Sequence, residues 1–351
     1  MFNINNGAGE VGDPPTNLLY PLSGPWCFFR RLRVLAKGQV IHDITEYNRV
    51  HEMFSYLSSH YSHENQLTEG CGIINLDQNT TGLDAAATIT GGILPGQYQT
   101  VVFKPFCGLL NTSKYIPLRW CPLTFELELV SNAEDPVLTH SANILGNSAN
   151  NRSTTWSLTD LRFLADVIQL DNETENGYTQ HLLNGMGLKI PYNDYISSYQ
   201  STNSGGNGIK NIRITLTRTA TRLNSIYVSL YRDNLPNTRW REFNYFWSPQ
   251  QTNAGTASKY SSENEFSSYV QIGSLKFPEF PLSGIGEGFY QLRKCVGVHN
   301  SPVHSIDINR KQYLYGRFIM AFDLEKELGA YGTGINTRSG DLINIVFDSK
   351  S

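Results

Sequence analysis

Several stretches of the sequence alternate between apolar and polar residues with a period of two, which is the pattern of a β-strand with one buried face. In residues 123–129, for example, Leu and Phe alternate with Thr and Glu. The other stretches of this kind are 161–167, 212–217, 226–230, 318–322 and 343–347. Two further apolar-rich runs, 27–35 and 39–44, flank Lys37-Gly38 and predict a short β-hairpin. We therefore expect a chain built mainly from strands.

Helical periodicity is confined to two segments. Residues 44–57 place their apolar side chains on one stripe, and residues 172–184 form a second helical pattern that Gly185 ends. Long polar stretches rich in Ser, Asn, Gly and Thr separate the strands, at 58–96, 131–155, 197–210 and 248–266. Strands joined by long loops, with few helices, are typical of β-sandwiches and jelly rolls.

The chain divides most simply into two β domains, because the 172–184 helix lies near its midpoint. Residues 1–25 are rich in Asn, Gly and Pro with little periodicity, which predicts an extended N-terminal arm. We predict a first jelly roll over 26–170 and a second over 171–351, each of eight strands, with the midpoint helix bridging two separate cores. A single jelly roll with a long extension is the alternative.

Composition narrows the function classes. The 351 residues are 40% hydrophobic and 17% charged, with a net charge of −3. Disorder requires low hydrophobicity with high net charge, and a nucleic-acid binder requires a positive surplus, so neither is expected. The N-terminus lacks the basic and apolar regions of a signal peptide, and no apolar run is long enough to span a membrane. Five cysteines without a CxxC pair predict free thiols in a reducing compartment.

Catalytic motifs are largely missing from the sequence. There is no P-loop and no GxSxG elbow, and the GxGxG string at 284–288 is interpreted as a turn. Glu126 and Glu128 fall on one face of a predicted strand, where we expect them to be solvated. Histidines near acidic residues occur as His60, His63 and Glu64, and as His299, His304 and Asp307. Neither set has the ligand cluster that closes a zinc site. No enzyme, metal or cofactor is predicted.

Basic residues are concentrated in two places. The first cluster is Arg30, Arg31 and Arg33; the second spans 213–241 and leads into the aromatic run Trp240, Phe243, Tyr245, Phe246 and Trp247. Arginine mixed with aromatic residues suits either nucleic-acid binding or a protein–protein interface. The overall negative charge favours the interface.

Five blocks of the sequence, in order, resemble the double-jelly-roll major capsid proteins of Polinton-like viruses, virophages and related eukaryotic DNA viruses, in the lineage of adenovirus hexon and tectivirus capsids. The blocks are distributed over most of the length of the chain: RRLRVLAKGQVIHDITEYNRVHEMF (30–54), GLLNTSKYIPLRWCPLTFELEL (108–129), TDLRFLADVIQLDNETENGYTQHLLNG (159–185), IRITLTRTATRLNSIYVSLYRD (212–233) and YGRFIMAFDLEKELGAYGTGINTRSGDLINIVF (315–347). The loops between the blocks match nothing recognisable.

This resemblance implies a homotrimer whose two rolls per chain form a pseudo-hexagonal capsomer of an icosahedral shell. It implies partnership with neighbouring capsomers and a minor capsid or penton protein, location in the virion, and no direct contact with nucleic acid. An internal viral membrane under the shell is compatible with it. The residues proposed as subunit contacts are Tyr47, Arg49, Asn336 and Arg338.

Two alternatives remain at this point. The first is a β-sandwich module that binds glycans or a receptor, of the lectin or fibre-head type, through Tyr- and Trp-rich loops. The second is a sandwich-fold hydrolase with scattered carboxylates, although the sequence shows no converging acidic pair.

Overall fold

The computed structural model describes residues 1–10, 17–59, 92–137, 153–201, 211–231, 246–249, 265–298, 305–325, 333–338 and 340–350. In this part of the chain there are twelve named strands: β1 (Phe2–Asn6), β2 (Phe29–Ala36), β3 (Gln39–Thr45), β4 (Tyr98–Val101), β5 (Leu123–Leu129), β6 (Trp156–Thr159), β7 (Ile212–Leu216), β8 (Ser225–Ser229), β9 (Phe266–Ile272), β10 (Leu275–Ser283), β11 (Ile319–Asp323) and β12 (Ile343–Ser349). The α-helices are α1 (Tyr47–Tyr56), α2 (Asn172–Leu183), α3 (Gly284–Cys295) and α4 (Arg310–Tyr315).

Strands β1 to β6 form the first β unit, in two three-stranded sheets ordered β4-β1-β6 and β3-β2-β5. All pairings in them are antiparallel, and the predicted hairpin is present as β2 and β3, with Gly38 at φ +82° in its turn. The two sheets share one core, in which the ring of Phe2 stands edge-on to that of Phe29 at 5.5 Å. Alternating side chains from both sheets thus fill a sandwich interior.

The extreme N-terminus belongs to this first unit and is not a separate arm. Strand β1 lies in the middle of its sheet, between β4 and β6, and both Phe2 and Ile4 are completely buried. The expectation of an arm at 1–25 was therefore wrong for residues 2–6. The apolar alternation in FNINN is too short, and too rich in Asn, to predict a central strand by itself.

Strands β7 to β12 form the second β unit, in a four-stranded sheet ordered β10-β9-β12-β7 and a pair β11-β8. Strand β12, near the C-terminus, is central and pairs with β7 and β9. Phe266, Phe318 and Phe347 are fully buried in the core of this unit. Helix α3 covers β11, and a side chain added at Gly288 would meet the end of Met320 at 3.0 Å, so a larger residue there would require Met320 to shift.

The buried apolar residues fall into two separate clusters, one in each unit. Two cores exclude the alternative of a single jelly roll with an extension. The division near residue 170 stays a prediction, because residues 192 and 195 pack against the first core. The described residues hold six strands in each unit, so the expectation of eight per roll also stays a prediction.

One predicted strand is absent from the structure. Residues 161–170 run in an irregular extended path after β6, and all ten are exposed. The alternation at 161–167 was read as a strand with one buried face, and that interpretation was wrong. Apolar periodicity indicates a face that is buried in the native protein, but it does not show whether that face is buried by the same chain or by another one.

Two helices differ from expectation. Helix α2 confirms the helical prediction at 172–184, but it has no buried residue and therefore does not bridge the two cores. The GxGxG string is the first turn of α3 after strand β10, not a simple turn, and the backbone N–H of Ser283 donates to the Glu287 carboxylate at 2.5 Å. Among the described residues, no helix is long and apolar enough to cross a bilayer.

Candidate functional site

Helix α1 is the element that joins the two β units. Tyr47, at its start, lies in the first core, whereas Met53 and Tyr56 lie in the second. The helix ends at Tyr56, close to the strands of the second unit. Its apolar stripe was predicted from the sequence to pack against a core, and the structure shows that the stripe serves two cores at once.

Polar contacts fix the first unit to α1 through a buried carboxylate. Glu52 is 2% exposed and accepts hydrogen bonds from the indole N–H of Trp26, at 2.8 Å, and from the hydroxyl of Ser23. A buried charge is tolerated when such donors satisfy it. The orientation of α1 on the first unit is therefore set by specific donors as well as by apolar packing.

Contacts to the second unit lie one turn further along α1. The backbone N–H of Asp307 donates to the carbonyl oxygens of Tyr56 and Ser58, at 3.0 and 2.9 Å. Arg317 donates to the carboxylate of Asp307 at 3.1 Å, and its guanidinium lies 4.3 Å from the ring centre of Tyr56. Cation–π and charge-assisted contacts therefore tie the end of α1 to the second unit.

Aromatic side chains fill the space between the units on the other side of α1. The ring of Phe54 is stacked on Phe106 of the first unit at 4.5 Å, and it stands edge-on to Tyr227 of the second unit at 5.1 Å. The Arg49 guanidinium lies 4.4 Å from the ring centre of Tyr231. Aromatic and cation–π contacts therefore connect the two units around α1.

The segment that follows α2 contacts the first unit again, through Asp194 and Ser197. The His42 ring is fully buried and its Nδ1 contacts the carboxylate of Asp194, while the hydroxyl of Ser197 donates to the carbonyl oxygen of Thr45 at 2.7 Å. Burial by itself would lower the pKa of His42, but the hydrogen bond with Asp194 and the nearby Cys107 outweigh it and raise the pKa to about 9. His42 therefore carries a positive charge that Asp194 balances.

A second buried histidine has the opposite behaviour. His51, on α1, is stacked on Trp26 with the ring centres 4.0 Å apart, and its Nε2 lies 3.3 Å from the carbonyl oxygen of Lys104. Burial lowers the pKa of His51 to about 3, and among the described residues no carboxylate contacts the ring to offset this effect. The ring is therefore neutral at ordinary pH and acts as an aromatic part of the core.

The first basic cluster is neutralised within the chain. Arg31 makes a bidentate ion pair with Asp43, with both distances 2.8 Å. Arg33 pairs with Glu126 at 2.6 Å, across the β2–β5 ladder. Arg30 contacts Glu46 at 3.3 Å. With each guanidinium paired, these arginines do not form the positive groove that a nucleic-acid backbone requires.

Of the second cluster, Arg213, Arg218 and Arg222 lie in the described chain, whereas Arg232, Arg239, Arg241 and the run from Trp240 to Tyr245 lie outside it. Phe246 and Trp247 are 0% and 7% exposed and belong to the second core. The interpretation of these two aromatic residues as part of an interface surface was wrong, because the second unit buries them.

The predicted subunit contacts have different surroundings. Tyr47 is fully buried and its hydroxyl accepts from the backbone N–H of Phe106 at 2.8 Å, so a contact role for Tyr47 was wrong: no second chain can reach it. Arg49 is partly buried at the joint between the units. Asn336 and Arg338 are exposed on either side of Thr337, which is anchored to Ala220. Arg49, Asn336 and Arg338 stay predictions as subunit contacts.

The candidate chemical groups of the sequence do not converge in the described chain. Glu126 faces Arg33 and Glu128 is exposed, in accordance with a solvated strand face. Asp307 pairs with Arg317. The remaining metal candidates, His60, His63, Glu64, His299 and His304, lie outside the described residues. Within the described residues, no group of three or more His, Cys, Asp or Glu side chains could hold a metal ion.

Sequence reasoning missed the residues with the clearest functional signature. Six large apolar side chains between β6 and α2 are exposed to solvent: Leu161, Phe163, Leu164, Val167, Ile168 and Leu170. The signal that could have found them is apolar residues at both odd and even positions of this stretch, where a half-buried strand has them at one parity only.

Comparison with solved structures identifies the fold class. The chain is an all-β double jelly roll. It is similar to VP54 of PBCV-1, a major capsid protein whose crystal structure was fitted into a cryo-EM reconstruction of the virophage Sputnik. That likeness has a TM-score of 0.51 and 13% identity, and it covers 100% of this chain and 76% of the other.

A second similar structure is a quasi-atomic model of the PBCV-1 virus capsid, with a TM-score of 0.47 and 11% identity over 99% of this chain and 75% of that one. No protein-family model and no curated protein matches the sequence. At these identities the comparison establishes the fold, and the double jelly roll expected from the sequence resemblance is confirmed.

Proposed function

We propose that this chain is the major capsid protein of a DNA virus, with a structural and not a catalytic role. The observation that carries the proposal is one chain with two β-sandwich cores, which α1 contacts together, in a fold whose likeness to VP54 covers 100% of this chain. Two rolls per chain allow three chains to form a ring of six similar units, and a closed three-fold ring limits its own growth.

The surface chemistry supports assembly with copies of the same chain. The ion pairs of the first basic cluster leave no concentrated positive charge there, and the net charge of −3 is small. Many weak contacts between nearly neutral surfaces can stabilise a shell through their number. On this proposal the protein resides in the virion, contacts neighbouring capsomers and a minor capsid or penton protein, and leaves contact with the genome to other proteins or to an internal membrane beneath the shell.

The oligomeric mass of the purified full chain tests this proposal. Size-exclusion chromatography with light scattering should give a trimer of roughly three times 39.4 kDa. Negative-stain images should show compact pseudo-hexagonal particles. A strictly monomeric protein at high concentration, or a monomer that binds immobilised glycans, would count against the capsid role and favour the binding module.

A further inference from the structure

The ten residues from Leu161 to Leu170, here called the apolar segment, present a surface that the chain itself leaves uncovered. Val167 is 76% exposed, Leu164 64% and Leu161 60%. With about 100 Å² open on each of six large apolar side chains, the segment exposes on the order of 600 Å² of apolar surface in total, an area comparable to the largest apolar patch of a typical monomer. Such a patch marks a contact site.

The backbone of the apolar segment makes few hydrogen bonds to the residues that the structure describes. At its start, Arg162 and Met1 exchange backbone hydrogen bonds at 2.9 and 3.0 Å. From 163 to 170, the backbone makes no hydrogen bond to any described residue. Among the described residues, the ring of Phe163 is stacked on that of Phe125 of β5, with the ring centres 4.6 Å apart. The backbone of the segment is thus hydrogen-bonded to described residues near its start, and its side chains are exposed to solvent along its whole length.

A second apolar surface lies on the other β unit. Phe280, on β10, is 82% exposed, and Leu275 of the same strand is 61% exposed. Strand β10 is at the edge of its sheet, and its pairing with β9 is irregular between Phe277 and Leu282, so Phe280 lies on a bulged stretch. Pro278 and Pro281 remove backbone donors there, which excludes strand addition and leaves side-chain packing as the mode of contact.

We propose that, within the trimer, the apolar segment of one copy packs against the β10 face around Phe280 of the next copy. This inference rests on the proposed homotrimer. The two surfaces are different and lie on different β units, which is the arrangement that a head-to-tail ring requires and a two-fold dimer does not.

Area and charge both favour a second copy as the occupant. The segment alone supplies about 600 Å², most of the roughly 800 Å² that each partner contributes to a standard interface. Its only charged residues are Arg162 and Asp166, of opposite sign, and Lys276 and Glu279 balance each other near Phe280. Interface centres are depleted of charge in this way, and permanent interfaces are the more apolar ones.

Single charge insertions test the contact. Val167→Glu and Phe280→Glu should each turn the trimer into monomers in light scattering, because each buries an unpaired carboxylate and should raise the dissociation constant at least about 100-fold. Val40→Glu is the matched control, since Val40 is 51% exposed on β3 outside both surfaces, and it should remain trimeric. Unchanged circular dichroism and melting of the monomers would show that folding is intact.

Mixing the two variants tests which surfaces meet. Each variant keeps one intact surface, so a 1:1 mixture of V167E and F280E should give heterodimers of about twice 39.4 kDa that cannot close a ring. A V167E protein that stays trimeric, or a mixture that stays monomeric, would overturn this pairing while the trimer and the capsid role stand. A wild-type chain that is itself monomeric would instead overturn the proposed function.

Discussion

The contact between His42 and Asp194 offers a direct test of how the segment after α2 is held on the first unit. Asp194→Asn keeps the size and the hydrogen-bonding capacity of the side chain but removes its charge. Asp194 also accepts the backbone N–H of Tyr195 at 2.9 Å, a bond that the amide oxygen of Asn can retain. The substitution therefore isolates the electrostatic part of the contact.

The magnitude follows from the pKa of His42, which rises from 6.5 to about 9. A shift of this size corresponds to about 3 kcal/mol, and screening at Asp194, whose side chain is 44% exposed, reduces the expected contribution to about 2 kcal/mol. Because the pKa is raised in the folded state, this stabilisation is complete below about pH 6.5 and is lost as the pH rises through about 9.

Urea unfolding of both proteins at fixed concentration, followed by tryptophan fluorescence at about pH 6 and about pH 10, measures the effect. The variant should be less stable than the wild type by about 2 kcal/mol at the lower pH and nearly equal to it at the higher pH. Asp160→Asn, which removes an exposed carboxylate paired with Arg162, is the control and should cost less than about 0.5 kcal/mol at both. An equal loss for D194N at both pH values, or no loss at about pH 6, would refute the reasoning.

Two further substitutions test the packing of His51 on α1 and the close approach of Gly108 to the segment after α2. Because the pKa of His51 is lowered to about 3, the free energy of unfolding should fall by roughly 2–3 kcal/mol between pH 6.5 and 4.5. In urea titrations, His51→Phe should remove this part of the acid destabilisation, whereas the control His181→Gln should not. An unchanged acid destabilisation in H51F would contradict this reasoning. Gly108→Ala would bring a Cβ within 1.6 Å of the Asn193 carbonyl oxygen and should destabilise the chain by about 1–3 kcal/mol in thermal melts. Gly177→Ala, on α2 with open space around it, should instead be neutral or stabilising by up to about 1 kcal/mol, and equal effects of the two would exclude the close approach at Gly108.

Periodicity predicted the parts of this fold whose side chains alternate cleanly. Strands β5, β7, β8, β11 and β12 all fall within or beside their predicted stretches. Strand β9 was missed because the polar Ser268 lies on its buried face while the large Tyr269 lies on the other face, so that FSSYVQI does not alternate between apolar and polar residues. Strand β1 was missed because its burial comes from strands about 95 and 155 residues away in sequence, which no local window can register.

The assignment of contacts was harder to predict than the assignment of elements. Tyr47 belongs to an amphipathic stripe whether the stripe faces a core or a neighbouring chain, and only the three-dimensional fold shows that it is buried. The apolar segment presents the reverse case: its sequence is that of a buried strand, yet the chain does not cover it. The arginines of β2 likewise suggest a basic patch in the sequence. Only the fold shows that β3 and β5 place carboxylates opposite them.

Electron cryo-microscopy of the assembled full chain tests the central claim most directly. The account predicts a three-fold particle with six β-sandwich units in a ring, two from each chain, with the apolar segment of every copy buried against the adjacent one. A map of isolated chains would contradict this claim, whereas a three-fold particle in which that segment faces solvent would contradict only the proposed contact between copies.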